Sequence, residues 1–503
     1  MTINEGPDHP NIVLLVWDAC RYDYAAEHAS FLNELASSNL WFENAVAPSP
    51  WSLPSHASIF TGELPHEHKK TRFGDSIHTP LVEELSHREY TSYGVSANGF
   101  ASQRTGFHEA FDRFRYTGGR DRYIEGLDVS GYSQNLLRDP EMSQRGALWR
   151  VLKRIPEEEH SLKSLANLLS VGVGELAMNR AALQRIPHPV FAPTSDYSYE
   201  PENNTRVIKS LLSEHDEAEP FFLFANYMDT HRCYKPDPEL QEKHLGRTLE
   251  YSELLHLNEE VAAPWSFETQ KARDELNEDD LKDLRSLYTG EIETLDAHLK
   301  RIHGILEAEE LLEETVIIVT ADHGENLGET DEVGRRRFGH ESSVSSTVLH
   351  VPLVVAHPEL DAERIETPLS LESLYDFCLG FSEIAAPSTS RLRRLADDTT
   401  AVSEYPATGG GNETLARYPE AEKKAVEHRS SENSVVTQED AWRVIVESTG
   451  DQWLFHDGTV TGFSEAPETL VSLGINSLEA LADDSGEAVS DEQVSRLEAL
   501  GYL

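Results

Sequence analysis

One aspartate and two Asp/His pairs in this chain follow apolar runs, and a serine precedes a helix. Asp18 follows the run Asn11–Trp17, Asp229 and His231 follow 220–227, and Asp322 and His323 follow Thr315–Thr320. Ser52 lies in a turn-rich segment, 48–55, just ahead of a helix of small residues expected at 56–61. Hard divalent cations prefer carboxylate oxygens, and an imidazole adds a borderline nitrogen ligand. Asp18, Asp322 and His323 could therefore hold one metal ion, with the oxygen of Ser52 completing the set. Such an ion would polarise a bound oxyanion and lower the pKa of an attacking hydroxyl. Backbone N–H groups at the start of the following helix would favour a sulfate or phosphate there. Singly these residues say little: an Asp after a buried strand commonly serves a turn, and a lone His is commonly structural.

The elements that must position these groups read as α/β. Asn11–Trp17 and Thr315–Thr320 are continuous, β-branched runs of the kind buried in parallel sheets. Further strands are expected at 40–45, 91–97, 220–227 and 351–356, and helices at 31–36, 81–86, 205–213 and Glu278–Ala308. The alternation predicts a doubly wound, mainly parallel sheet flanked by helices, with ligands bound beyond the carboxyl ends of its strands. From about 118 to 201 the pattern turns polar and partly helical, with Ser161–Met178 an amphipathic candidate. We read this segment as an insertion over the core, a lid. The few cations of that helix disfavour a membrane-surface role. Beyond about 395 come a loop at 409–413, a hairpin of 441–447 with Gln452–His456, and an acidic tail at 485–503 expected to end in a helix. The expected organisation is a catalytic domain over 1–395 and a small C-terminal α+β subdomain with its tail over 396–503.

Composition narrows the function classes. The 503 residues carry 89 acidic and 43 basic side chains, a net charge of −46, with only 12 Lys against 31 Arg. Carboxylates spread along the whole chain exclude the basic stripes that nucleic-acid binding needs. They fit a surface hydrated in concentrated salt, where the Debye length is about 3 Å at 1 M and self-repulsion is screened. Cys20, Cys233 and Cys378 are odd in number and far apart, which is neither a disulfide framework nor a zinc spacing. The first ten residues carry no basic-then-apolar signal, and Asn11–Trp17 is too short to span a bilayer. The expectation is a cytoplasmic protein without stable membrane insertion.

Taken in order, the motifs resemble the sulfatase branch of the alkaline phosphatase superfamily. Asn11-Ile-Val-Leu-Leu-Val-Trp-Asp18, with Arg21 and Asp23, resembles the opening strand and its metal-binding Asp. Ser52-Leu-Pro-Ser-His56, continuing to Gly62, resembles the nucleophile signature Cys/Ser-x-Pro-x-Arg and its helix. Asp229-Thr-His231, then Tyr234 and Pro236, resembles the segment whose His touches the substrate anion. Asp322-His-Gly-Glu325 with Gly328-Glu329 resembles the second metal motif, and Phe338-Gly-His340 the segment that brings a Lys or His to the anion.

The resemblance implies an alkaline-phosphatase-like core and a metal-dependent hydrolase. Ser52 stands where the family places its nucleophile, which true sulfatases oxidise to formylglycine. Asp18, Asp322 and His323 would hold one divalent ion (Ca, Mn, Mg or Zn). His56, His231 and His340 would belong to the catalytic group, the last two stabilising the anion or protonating the leaving oxygen. Asn98 and Asp229 are expected to line the substrate pocket. Three positions depart from the pattern: His56 replaces the signature Arg, Ala19 stands where many sulfatases carry a second Asp, and His323 replaces an Asn. The latter two turn the metal expectation toward that of phosphonate and phosphodiester hydrolases, with manganese or zinc. The leading reading is hydrolysis of a sulfate ester, on a small molecule, glycan or glycolipid. The alternative is phosphodiester or phosphonate ester hydrolysis, or phosphotransfer, by unmodified Ser52. A non-catalytic binding protein on the same fold is the third.

Overall fold

Asn11–Trp17 forms a strand in which every residue is buried. In the computed structural model it lies at the centre of an eight-stranded sheet. The structure describes residues 9–178, 201–262, 277–406 and 434–482, apart from gaps of one to five residues within them. From edge to edge the strands are Glu363–Ile365, Leu40–Phe42, Leu353–Ala356, Thr315–Thr320, Asn11–Trp17, Phe221–Tyr227, Thr91–Ser96 and Arg113–Tyr116. All pair in parallel except Leu353–Ala356, which runs antiparallel to both its neighbours. This is the expected α/β architecture, with one reversed strand. The apolar runs suit it because a sheet covered by helices buries both faces of its strands.

Register brings the site together. Trp17 pairs with Tyr227, and Val16 pairs with Thr320, so the three chains leave the sheet side by side. The residues that follow, Asp18, Asp229 and Asp322, therefore start from one edge. Packed on the sheet is the 31-residue helix Glu278–Ala308, which buries Leu281, Leu284, Tyr288, Ile292, Leu295 and Leu299 as a single stripe. Its first turn carries Glu278, Asp279 and Asp280, and Asn277 caps it by accepting from the Asp279 N–H.

Some boundaries differ from the sequence expectation. The strand expected at 40–45 is two pieces, Leu40–Phe42 and Ala45–Val46. The helix expected to start at 56 starts at Ser52 and runs to Thr61. Gly62 closes it with a positive φ of 72°, a conformation glycine adopts without a Cβ penalty. The loop at 409–413 and the tail helix expected within 485–503 lie outside the described residues.

The C-terminal strands Ala401–Tyr405, Ser434–Glu439, Trp442–Glu447, Gln452–His456 and Thr459–Val460 form a five-stranded antiparallel sheet. Val402, Val444, Val446 and Leu454 pack with Leu470 and Leu481 of the helix Glu468–Ala482. Ala401, Tyr405, Val436 and Ile445 join the main core instead. The edge strand is stitched to the segment that leads into Ser52. Glu404 N donates to Pro48 O at 2.8 Å, and Ser49 Oγ donates to Glu404 O at 2.8 Å.

In the segment expected to be an insertion, the helices Val129–Leu137, Gln144–Arg154 and Ser161–Met178 share a small core of Val129, Val151 and Ile155. Asp128 anchors it by accepting from Tyr116 N at 3.1 Å and Gln103 Nε2 at 3.3 Å.

Candidate active site

Asp18 is fully buried at the carboxyl end of the central strand. Its Oδ2 accepts from Asn98 Nδ2, from Ser52 Oγ at 3.3 Å and from Asn226 Nδ2 at 3.4 Å. The backbone turns sharply here, with Ala19 at a φ of 60°. That turn is held at several points: Tyr288 OH donates to Ala19 O at 2.7 Å, Thr230 Oγ1 donates to Asp18 O at 2.6 Å, and Ala19 N donates to Asp322 Oδ1 at 3.2 Å. A left-handed alanine costs on the order of 1 kcal/mol, which these bonds offset.

Asp322 Oδ1 also accepts from His323 N at 3.0 Å, while its backbone carbonyl accepts from Ser55 Oγ at 2.7 Å. His323 Nδ1 donates to Gly324 O at 2.8 Å. A neutral imidazole so engaged carries its lone pair on Nε2, which lies 3.2 Å from Ser52 Oγ. Ligand atoms of Asp18, Asp322 and His323 all fall within 4.8 Å of one another. Asp18 Oδ1 and Asp322 Oδ2 are buried with no hydrogen-bond partner among the described residues.

Electrostatically the cluster is short of positive charge. Burial first, then the neighbouring Asp322, raises the Asp18 carboxyl above its ordinary range. Burial pushes Asp322 up to about 6 and His323 down to about 3. Two adjacent buried carboxylates, an imidazole lone pair and a serine oxygen form an acceptor-rich cradle. Orphaned carboxylate oxygens at this spacing fit a divalent cation, which would satisfy them at once.

The remaining predicted residues divide into two groups. His231 and His340 approach the cluster: the His340 ring is 4.1 Å from that of His323 and 5.2 Å from that of His231, centroid to centroid. Nδ1 of His340 donates to Glu325, 3.2 Å from Oε1, and its Nε2 is buried without a hydrogen-bond partner among the described residues. His231 Nδ1 donates to Arg232 O at 2.8 Å. Burial pushes His231 down to about 4 and His340 down to about 3.

His56 lies behind Ser52. Its Nδ1 donates to Ser52 O at 2.8 Å, and its Nε2 accepts from Asn226 Nδ2 at 3.2 Å. Both ring nitrogens are thus engaged, and the ring edges meet Phe107 and Phe224. Asn98 bonds Asp18 directly. Asp229 is buried against the like charge of Glu291 on the long helix, and burial raises both carboxyls.

Sequence reasoning missed Asn226, which bonds Asp18 and His56 from inside an apolar strand. The one signal available was an amide near the end of an otherwise apolar run, PFFLFANY. Glu325 was read within a motif without a part of its own; it accepts from Tyr234 OH at 3.3 Å and orients His340.

Comparison with known proteins identifies the fold and the family. Choline-sulfatase of Rhizobium meliloti (strain 1021) is 23% identical over 417 residues, covering 78% of this chain and 71% of that protein. The structure of BT4656 in complex with its substrate D-glucosamine-2-N,6-O-disulfate superposes with a TM-score of 0.58 at 13% identity, over 95% of this chain and 100% of that one. Phosphonate monoester hydrolase of Agrobacterium radiobacter superposes with a TM-score of 0.54 at 16% identity, over 94% and 96%. The sulfatase family model matches residues 10–382, a span that holds every residue of the cluster, and the chain belongs to that family as an enzyme of the sulfuric ester hydrolase type.

Proposed function

We propose that the chain hydrolyses sulfate esters at the cluster around Ser52. The observation that carries this reading is the convergence of Asp18 Oδ1, Asp322 Oδ2 and the His323 Nε2 lone pair beside Ser52 Oγ. Asp18, Asp322 and His323 would hold one divalent ion, Ca, Mn, Mg or Zn. When bound, that ion supplies positive charge to polarise the ester oxygens and to favour the ionised nucleophile.

The chain's own residues do the rest. Residue 52, as formylglycine, presents the attacking oxygen at the start of its helix, where backbone N–H groups favour the anion. A bound ester anion favours the charged form of the two imidazoles against the burial that lowers them, and the protonated rings of His231 and His340 then stabilise the anion or protonate the leaving oxygen. Asn98 holds Asp18 in place and, with Asp229, lines the pocket. His56 fixes the first turn of the Ser52 helix through the Ser52 carbonyl. The substrate is a small-molecule, glycan or glycolipid ester; a net charge of −46 fits work in concentrated salt.

A second reading rests on His56. The residue replacing the family's Arg is a neutral, fully engaged imidazole, so it supplies no fixed cation beside residue 52. Phosphodiester or phosphonate ester hydrolysis, or phosphotransfer, by unmodified Ser52 needs no oxidation of that residue: a phosphoserine can be hydrolysed, whereas a serine sulfate lacks an easy exit. Intact-peptide mass spectrometry of the Ser52 segment separates the two. Loss of two hydrogens at residue 52 supports the sulfatase chemistry; an unmodified Ser52 in active protein overturns it in favour of phosphoryl chemistry.

A further inference from the structure

The insertion carries an exposed apolar surface that the proposed reaction does not use. In Gln144–Arg154, Ala147 and Val151 turn inward toward the small core, while Leu148, Trp149 and Leu152 are exposed. In Ser161–Met178, Ser164 and Asn167 are buried, and Leu162, Leu165 and Leu169 are exposed, spaced three and four residues apart. Such spacing places the three leucines on one side of the helix. Trp149 is 59% exposed and Leu162 is 82% exposed, so neither is a marginal case. Single exposed leucines are ordinary; two successive helices that share one small core and each turn an apolar face away from it are not.

Charge decides what covers this face. In a chain of net charge −46, the stretch Gln144–Arg154 contains Arg145, Arg150, Lys153 and Arg154 and no acidic residue. Arg154 is paired with Glu157 and Glu158. Arg145, Arg150 and Lys153 are exposed within the same three turns as Leu148, Trp149 and Leu152. Lys153 Nζ lies 5.2 Å over the Trp149 ring. A Trp and leucines flanked by cations form the pattern of a helix lying in a lipid headgroup region. There apolar tips enter the acyl boundary, and long basic side chains reach the phosphates. A second copy would bring the same cations against each other. In dilute salt the remaining surface, strongly acidic, would be repelled from an anionic bilayer unless a local cation cluster met it first; in concentrated salt that repulsion is screened and the apolar tips carry the contact.

We propose that this face of the insertion docks the enzyme on an anionic phospholipid surface. The sequence of Ser161–Met178 alone did not show this, because the cations lie on the preceding helix. No helix among the described residues is long and apolar enough to cross a membrane, so the docking is peripheral. The segment is rooted through Asp128 and Gln103 in the stretch that follows Asn98.

The test is co-sedimentation of the full chain with dioleoylphosphatidylglycerol vesicles and, separately, dioleoylphosphatidylcholine vesicles. It is run in the lowest salt at which circular dichroism shows the folded protein. The expected result is binding to the anionic vesicles at least tenfold tighter than to the zwitterionic ones. Trp149→Ser combined with Leu162→Ser should weaken binding about tenfold or more. Arg150→Glu combined with Lys153→Glu should do the same, with an effect that shrinks as salt rises. All four side chains are exposed, so melting temperature and hydrolysis of a soluble ester should be unchanged in both variants. Failure to bind anionic vesicles, or equal binding by the variants, overturns the proposal. So does a dimer in vesicle-free light scattering that Trp149→Ser dissolves, which would assign the face to a second copy.

Discussion

Nε2 of His323 lies 3.2 Å from Ser52 Oγ, while its Nδ1 is committed to the Gly324 carbonyl at 2.8 Å. One backbone bond thus fixes the tautomer and aims a lone pair at the residue proposed to react. The same lone pair faces Asp18 and Asp322, whose partnerless oxygens complete the cradle.

Asp322→Asn should separate metal binding from folding. The amide oxygen can still accept from Ala19 and His323, so the turn is kept, while one of two adjacent buried carboxylates is removed. The metal-free variant should be as stable as the parent, or up to about 2 kcal/mol more stable. It should lose the metal-dependent rise in melting temperature, which at a hundredfold excess over Kd corresponds to about 2.7 kcal/mol. Calorimetric scans with and without metal, together with elemental analysis, read both effects. Unchanged metal content would mean the ligand set is wrong.

Glu325 is a positioning residue for His340, and its variant should leave a signature that lost packing would not. His340→Ala should lower kcat by about 10²- to 10⁴-fold. Glu325→Gln should lower it less and move the high-pH limb of the kcat profile to lower pH. The sign follows from the geometry: with the substrate anion bound, a carboxylate 3.2 Å from His340 Nδ1 stabilises the imidazolium, so removing it lowers the pH at which His340 gives up its proton in the complex. A kcat loss with an unmoved limb would reduce Glu325 to packing.

Asp229 and Glu291 predict a pH dependence of stability away from the metal ligands. Burial raises both carboxyls in the folded state, and for Glu291 the charge of Asp229 adds to this. Between the unfolded carboxylate range near 4 and these raised values, the folded state binds more protons than the unfolded one. Stability should therefore be fullest at acidic pH and fall as pH rises through the folded pKa values. Glu291→Gln should flatten that fall and stabilise the protein at pH 8, by about 1–3 kcal/mol. Melting curves across pH for both proteins give the slope, and equal slopes would refute the coupling.

His66 ties the C-terminal sheet to the short helix Pro65–His68 that follows the Ser52 helix. Its Nδ1 lies 2.6 Å from Glu404 Oε1, and its backbone N donates to Glu404 Oε2 at 2.9 Å. The Glu404 carboxylate raises the His66 pKa, so this contribution is complete below about 6.5 and is lost as pH rises through the raised value. His66→Ala leaves a buried carboxylate with less compensation and should cost about 1–3 kcal/mol. Hydrogen exchange of Ala401–Tyr405 should accelerate with it, because that strand lies against the segment leading to Ser52. Protection unchanged from the parent would show that the sheet is held elsewhere.

The sequence was legible where local and tertiary demands agree. Asn11–Trp17, Thr315–Thr320 and Glu278–Ala308 have the expected bounds: the strands are long apolar runs, and the helix has an Asn cap and an acidic first turn. Their end residues Asp18, Asp322 and His323 were readable for the same reason. The hairpin Asn326–Thr330 with Arg336–Gly339 was not, because its charged residues show no alternation. Tertiary contacts hold it, among them Arg21 to Glu329 at 2.6 Å. Asn226 was hidden by its apolar neighbours, and Glu291 by lying on the buried side of a helix whose other faces are acidic. In both cases the pairing partner is hundreds or tens of residues away, and only the fold brings it close.

The most direct test of the account is sulfate release from a sulfate ester by purified protein loaded with metal, run beside Ser52→Ala. The parent should turn over and the variant should stay at background, with metal content largely the same in both. Sulfate release by Ser52→Ala at the parent's rate would contradict it.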